Sequence, residues 1–194
     1  SPKTIIVHRD NLDAVCQELG FPIILKQPDS AFSKGVTKVK TREEFDAQVD
    51  ELFEKTELLV AQEFIQTDFD WRIGVLDRKP IYACKYFMAR KHWQIIANVA
   101  EGDADYGKVE AVPLELVPQH VVRMAVKAAD LIGDGLYGVD LKQMGRQCCV
   151  IEVNDNPSID AGYEDALLKD SLYERVMEVF VRRIEKQKER RSED

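Results

Sequence analysis

Apolar positions recur along the chain in two rhythms, one near the helical repeat and one alternating along strands, and the switches between them mark the elements. Leu12, Val15, Cys16 and Leu19 fall on one helical face, so a helix is expected there, capped by Asp10 and closed by Gly20. Phe21 to Lys26 is a short, branched apolar run that reads as a strand. It breaks into the polar stretch from Gln27 to Gly35, and Val36 to Val39 resumes as the second arm of a hairpin. Thr41 followed by Glu44 is a capping box for a helix that buries Phe45, Val49, Leu52 and Phe53.

From Leu58 the alternation turns to strands: Leu58 to Glu63, Asp70 to Leu76, Pro80 to Arg90 and Trp93 to Val99, with Asp77-Arg78-Lys79 as one hairpin turn. A helix is expected from Pro118, presenting Val121, Ala125, Ala128 and Ile132, and ending at Gly133-Asp134-Gly135. Tyr137 to Met144 and Cys148 to Asn154 form a hairpin around Gly145. The last helix, about Leu172 to Lys186, carries Leu172, Val176, Val179, Phe180 and Ile184 before a charged tail from Gln187 to Asp194 that is expected to fray. This order of helices and hairpins is that of an α+β protein with mostly antiparallel sheets.

Composition narrows the function. Across 194 residues, 27 Lys and Arg stand against 35 Asp and Glu, for a formal net charge of -8. A general basic surface for nucleic acid is thereby excluded, although a local basic pocket is not. No stretch approaches the roughly 18 uninterrupted apolar residues of a membrane helix, and the first residues do not read as a signal sequence. Neither nucleic acid nor membrane is an expected partner, and a cytoplasmic location is expected. Cys16, Cys84, Cys148 and Cys149 contain no Cys-x-x-Cys pair and read as reduced thiols. His8, His92 and His120 show no ligand spacing.

The late hairpin carries the densest chemistry. Glu152 and Asn154 lie two apart and share a strand face, and pairing across the Gly145 turn can bring Asp140 opposite them. Two carboxylates and an amide oxygen suit Mg²⁺, which keeps several waters and shares its remaining positions with phosphate oxygens. The same residues could simply end a strand and cap a loop. Lys26 closes a buried strand, and the Ser30 to Gly35 tip can offer backbone N–H groups to phosphate; the alternative is a strand-end lysine with a solvated tip. At Val60 to Ile65 a strand leaves its sheet, which would free its backbone to pair with an adenine edge.

Together, Lys26 with the loop to Gly35, Gln62-Glu63-Phe64-Ile65, Asp70-Trp71-Arg72, Gly138-Val139-Asp140 and Ile151-Glu152-Val153-Asn154-Asp155-Asn156-Pro157 resemble the ATP-grasp superfamily. Within it the chain is most similar to RimK-type and glutathione-synthetase-type carboxylate-amine ligases, from about Thr4 to Leu172. The resemblance implies two α+β subdomains with ATP in the cleft between them: residues 1–20 a connecting helix, 21–62 a lid, 63–186 the larger subdomain and 187–194 a tail.

The resemblance also implies roles. Lys26, Ser33, Lys34 and Gly35 would contact ATP phosphates; Gln62, Glu63, Phe64 and Ile65 would hold the adenine, and Asp70 would sit near the ribose. Arg72, Lys85 and Asn98 would face the γ-phosphate and the acyl phosphate, and Asp140, Glu152 and Asn154 would hold Mg²⁺, or Mn²⁺ in its place. The implied reaction joins a small-molecule or peptide carboxylate to an amine such as an amino acid. A nucleotide-binding regulatory module without turnover and an enzyme that phosphorylates without ligation are the competing readings. Relatives carry an N-terminal domain and a further lysine ahead of Pro2, so the chain reads as part of a longer protein. The strands from Pro80 to Val99 lack the paired arginines of the nearest relatives, which leaves the substrate open, and a homo-oligomer is allowed.

Overall fold

The computed structural model describes residues 1–28, 35–89, 93–98 and 104–193. The chain divides into two compact units, Ser1–Gln66 and Thr67–Asp194.

In the first unit, β1 (Thr4–Val7), β2 (Ile23–Lys26), β3 (Val36–Val39) and β4 (Leu59–Glu63) form an antiparallel sheet in the order β1-β4-β2-β3. The helices α1 (Leu12–Leu19) and α2 (Arg42–Phe53) pack Val15, Phe45, Val49 and Leu52 against Val7, Ile23, Leu25, Val39, Leu59 and Ala61. Strand β1 was not expected. The first helix cap shifts by one residue. Asn11, not Asp10, takes the first cap position, where its Oδ1 accepts from the His8 N–H. Thr41 caps α2 as expected, accepting from the Glu44 N–H, but the Glu44 carboxylate reaches back to the Lys40 N–H rather than to that of Thr41. Gly20 sits at φ 65°, a left-handed conformation that favours glycine.

The second unit contains a five-stranded antiparallel sheet in the order β11-β10-β5-β6-β9, from β5 (Phe69–Leu76), β6 (Lys79–Phe87), β9 (Val109–Ala111), β10 (Leu136–Met144) and β11 (Gln147–Asn154). The short strands β7 (Ile96–Asn98) and β8 (Ala104–Tyr106) make a separate ribbon. One face of the large sheet, carrying Trp71, Ile73, Val75, Ala83, Val139 and Leu141, is covered by α3 (Gln119–Asp130) through Val121, Ala125 and Ala129. The expected stripe ran through Ala128 to Ile132; the helix stops at Asp130, and Ile132 lies beyond it, exposed.

The opposite face is divided. At one end Leu76, Tyr82 and Cys84 pack with Leu172, Val176 and Val179 of α4 (Asp170–Glu193). At the other end the same face carries charge, as described below. The turn between β5 and β6 uses Asp77 and Arg78, at φ 51° and 61°, and Arg183 ties α4 to it with a 3.0 Å bond to Asp77. Helix α4 runs on to Glu193 instead of fraying after Lys186. Lys, Arg, Glu and Gln are good helix formers, and acid-first, base-last placement suits the helix dipole, so a charged segment with little to bury can still extend a packed helix. All four cysteines are free, and burial pushes the Cys84 thiol up to about 12.

Candidate active site

Strand register assembles the charged end of the sheet. Asp140 on β10 stands opposite Arg72 on β5 and Glu152 on β11, while Gly138 stands opposite Gly74 and Asn154. Side chains of one strand alternate between faces, so Asp70 and Arg72, Asp140 and Lys142, and Glu152 and Asn154 all rise on the same side. An irregularity beside Asp140 pairs Leu141 with Val150, leaving Ile151 as the extra residue. Such a bulge re-aims the strand end that carries Glu152 and Asn154.

Two ion pairs run side by side. Arg72 donates from Nε and Nη2 to the two oxygens of Asp140, each at 2.7 Å. Lys142 Nζ donates to Asp70 Oδ1 at 2.7 Å and to Thr67 Oγ1 at 2.9 Å, and the Thr67 hydroxyl donates to Asp70 at 3.0 Å. The four charged side chains are 13–19% exposed, so solvent screens them weakly. Asn154 Nδ2 lies 3.4 Å from Asp140 Oδ2 and 3.3 Å from the Gly138 carbonyl, and the Arg72 guanidinium lies 4.7 Å from the centre of the Tyr86 ring.

Burial raises the Asp70 carboxyl above the ordinary range, against the pull of Lys142. Burial also disfavours the Arg72 cation, but the Asp140 bonds and charge outweigh it and hold its pKa above the usual value. Close packing fixes the floor of the site. A Cβ on Gly74 would lie 2.2 Å from the Tyr82 ring, and one on Gly138 would lie 2.7 Å from Pro157 Cβ.

The expected site residues do not all come together. Asp70, Arg72, Asp140, Glu152 and Asn154 share one sheet face. Lys85 does not: it stands opposite Trp71, so alternation sends it to the other face, with Nζ 4.9 Å and 5.2 Å from the centres of the Phe69 and Trp71 rings. Lys85 and Arg72 therefore stand on opposite faces of the sheet. Asn98 lies on β7 with its backbone opposite Ala104.

Lys26, Gly35 and Gln62 to Ile65 belong to the first unit. Lys26 ends β2 between Val36 and Val60, and Gly35 has φ 72°. Ser33 and Lys34 lie outside the described residues. Strand β4 stays paired on both sides through Glu63, the strand end expected from the sequence. Gln62 Nε2 donates to Thr4 Oγ1, Glu63 Oε1 accepts from the Lys3 N–H, and Lys38 Nζ sits 3.4 Å from the centre of the Phe64 ring.

Lys142, Thr67 and the buried Glu164 were not anticipated. Lys142 was legible, since it lies two residues beyond Asp140 on the same strand. Glu164, 3% exposed, accepts from the Asp160 N–H within an irregular turn that leaves no periodic signal.

Among the described residues no group of three or more His, Cys, Asp or Glu side chains is close enough to hold a metal by itself. Asp140, Glu152 and Asn154 offer two carboxylates and one amide, all hard oxygen donors. That chemistry fits Mg²⁺, which fills its shell with water and phosphate oxygens, better than it fits a closed structural metal site.

The antiparallel α+β architecture and this strip of paired charges define an ATP-grasp domain. Residues 1–168 match the RimK-like ATP-grasp domain, and the chain belongs to that family. It is 27% identical over 163 residues to a D-alanine–D-alanine ligase of Trichlorobacter lovleyi, covering 83% of this chain and 51% of that protein. It is 29% identical over 189 residues to a protein of Syntrophotalea carbinolica named "Probable alpha-L-glutamate ligase", covering 95% of this chain and 58% of the relative. The chain thus spans about half the length of the curated relatives it matches. A D-alanine–D-alanine ligase from Bacillus anthracis shares the fold at a TM-score of 0.68 and 18% identity, over 96% of this chain and 64% of that one. The ATP-grasp ligase PsnB, solved with a minimal precursor, Mg and ADP, shares it at 0.60 and 20%, over 90% and 53%.

No helix of the described residues is long and apolar enough to cross a membrane.

Proposed function

We propose that this chain is the nucleotide-binding and catalytic part of a Mg²⁺-ATP-dependent carboxylate-amine ligase that works through an acyl phosphate. The observation that carries the reading is the Arg72–Asp140 pair flanked by Glu152 and Asn154 on one face of the sheet, in a chain of the RimK-like ATP-grasp family. The relatives named as D-alanine–D-alanine and α-L-glutamate ligases support amide formation as the reaction class.

Asp140, Glu152 and Asn154 would hold Mg²⁺, which when bound supplies charge neutralisation for phosphoryl transfer. Arg72 is a fixed cation of the fork type that suits phosphate oxygens, and it would bind the γ-phosphate and then the acyl phosphate. Asp140 holds that guanidinium in place until it is needed. Lys142 and Asp70 keep the neighbouring strand ends aligned, and the Phe64 and Ile65 backbone would pair with the adenine edge. Lys26 and the loop ending at Gly35 would bind the phosphates.

In the first step a carboxylate oxygen bonds to the γ-phosphorus as the bond to ADP breaks. In the second an amine nitrogen bonds to the acyl carbon, phosphate leaves with the bonding pair, and the nitrogen gives up its proton. The site needs little proton transfer of its own; positioning and charge stabilisation do most of the work.

The test is ADP release by this chain given Mg²⁺ and ATP with panels of amino acids and short peptides. ADP is expected only when a matching carboxylate and amine are both present. ADP formed at full rate with the carboxylate alone would favour phosphorylation without ligation, and failure to bind ATP at all would contradict the reading.

A further inference from the structure

Helices α1 and α2 pack on one face of the first unit's sheet, against Ile23, Leu25, Val39, Leu59 and Ala61, so alternation turns Ile24, Lys26, Lys38 and Gln62 to the opposite face. Two lysines stand on that face at different levels. Lys26 lies opposite Val36 and Val60, whereas Lys38 lies opposite Ile24, which in turn lies opposite Gln62. Lys38 is therefore about 7 Å nearer, along the strands, to the end at which β4 gives way to Phe64.

The Lys38 side chain goes to that end. Its ammonium sits 3.4 Å from the centre of the Phe64 ring, well inside the roughly 6 Å over which a ring face attracts a cation. Both residues are half-buried, and burial, with the neighbouring Lys40 charge, lowers the Lys38 pKa below its ordinary value. A cation partly withdrawn from water gains more from a ring than an exposed one does. Phe64 follows the last residue of β4, where side-chain packing takes over from the ladder in setting the backbone. A lysine on this face would by default be a second phosphate ligand beside Lys26; the register and the ring contact direct Lys38 to the Phe64 end instead.

We propose that Lys38 is a positioning residue for the nucleotide base: its ammonium clamps the Phe64 ring and so fixes the Phe64 and Ile65 backbone along which the base edge is read. This rests on the proposed pairing of that backbone with adenine.

Two measurements on the whole chain test it, one without nucleotide and one with. Lys38→Gln keeps most of the stem and removes the charge. In the nucleotide-free chain it should speed amide hydrogen exchange at Phe64 and Ile65 by about threefold or more, with β2 and the paired part of β4 unchanged. In calorimetric titration with non-hydrolysable analogues of ATP and of ITP, whose base carries a carbonyl where adenine carries its amine, both with Mg²⁺, it should weaken the ATP analogue by about 3- to 30-fold and narrow the preference for it. Lys38→Arg keeps a cation that stacks on rings and should stay within about twofold of the parent in both measurements. Unchanged exchange in Lys38→Gln, equal weakening of the two analogues as a phosphate contact would give, or an Arg variant as weak as the Gln variant each overturns the proposal. A parent chain that binds neither analogue overturns the proposed function and the base-reading role with it, while exchange still shows whether Lys38 fixes the Phe64 backbone.

Discussion

Replacing Asp140 by Asn keeps the size of the side chain and removes its charge beneath Arg72. The native pair makes two charge-assisted bonds of 2.7 Å, with the two side chains only 19% and 13% exposed. Hydrogen bonds to charged groups contribute about 1.5–3 kcal/mol each, and breaking a buried pair from one side costs about 3–5 kcal/mol because a charge is left without its partner. Asparagine still offers one oxygen, and the Tyr86 ring remains 4.7 Å from the guanidinium carbon. These keep the expected loss near the lower limit, about 3 kcal/mol. Both tryptophans, Trp71 and Trp93, lie in the second unit, so fluorescence during urea unfolding follows that unit. At an unchanged slope of about 1–3 kcal/mol per molar urea, the midpoint should fall by roughly 1–3 M. Arg72→Met combined with Asp140→Asn should lose clearly less than the sum of the single changes. A single Asp140→Asn variant within about 0.5 kcal/mol of the parent would show that the pair is neither buried nor formed, and would refute the reasoning.

Three further expectations follow from particular contacts. Gly74→Ala drives a methyl to 2.2 Å from the buried Tyr82 ring and should cost about 1–3 kcal/mol in the same unfolding assay; a neutral result would mean the ring moves freely. Asp77 has its carboxyl held below the ordinary range by the Arg183 hydrogen bond, so the stability it contributes is full above the unfolded value of about 3.9 and is lost as pH falls through the lower folded one. Asp77→Asn tolerates the same left-handed backbone, and its melting-temperature deficit should be constant near neutrality and vanish in acid; a deficit that persists unchanged there contradicts the pair. Arg72→Met should reduce ADP release far more than Lys85→Met, since Lys85 lies on the opposite sheet face; equal losses would contradict the register.

Much of this was legible in the sequence because it rests on strong local signals. The capped, amphipathic run from Thr41 to Phe53 and the late hairpin around Gly145 combine period and turn chemistry, and both formed as expected. Asp140, Glu152 and Asn154 could be placed together because a two-residue period and one turn suffice to do so. What was not legible depended on information that a local pattern does not carry. The face of Lys85 depends on its pairing with Trp71 across the Asp77–Arg78 turn, and one step along the strand reverses it. The C-terminal extension of α4 was missed because charge and lack of burial were given more weight than helix propensity.

The most direct test of the proposed site is calorimetric binding of a non-hydrolysable ATP analogue to this chain, with and without Mg²⁺. Binding is expected to tighten with Mg²⁺, and that gain should disappear in Glu152→Ala and in Asn154→Ala while their unfolding curves stay close to the parent. A gain from Mg²⁺ that both variants retain in full would contradict the assignment of Asp140, Glu152 and Asn154 as the metal-holding set.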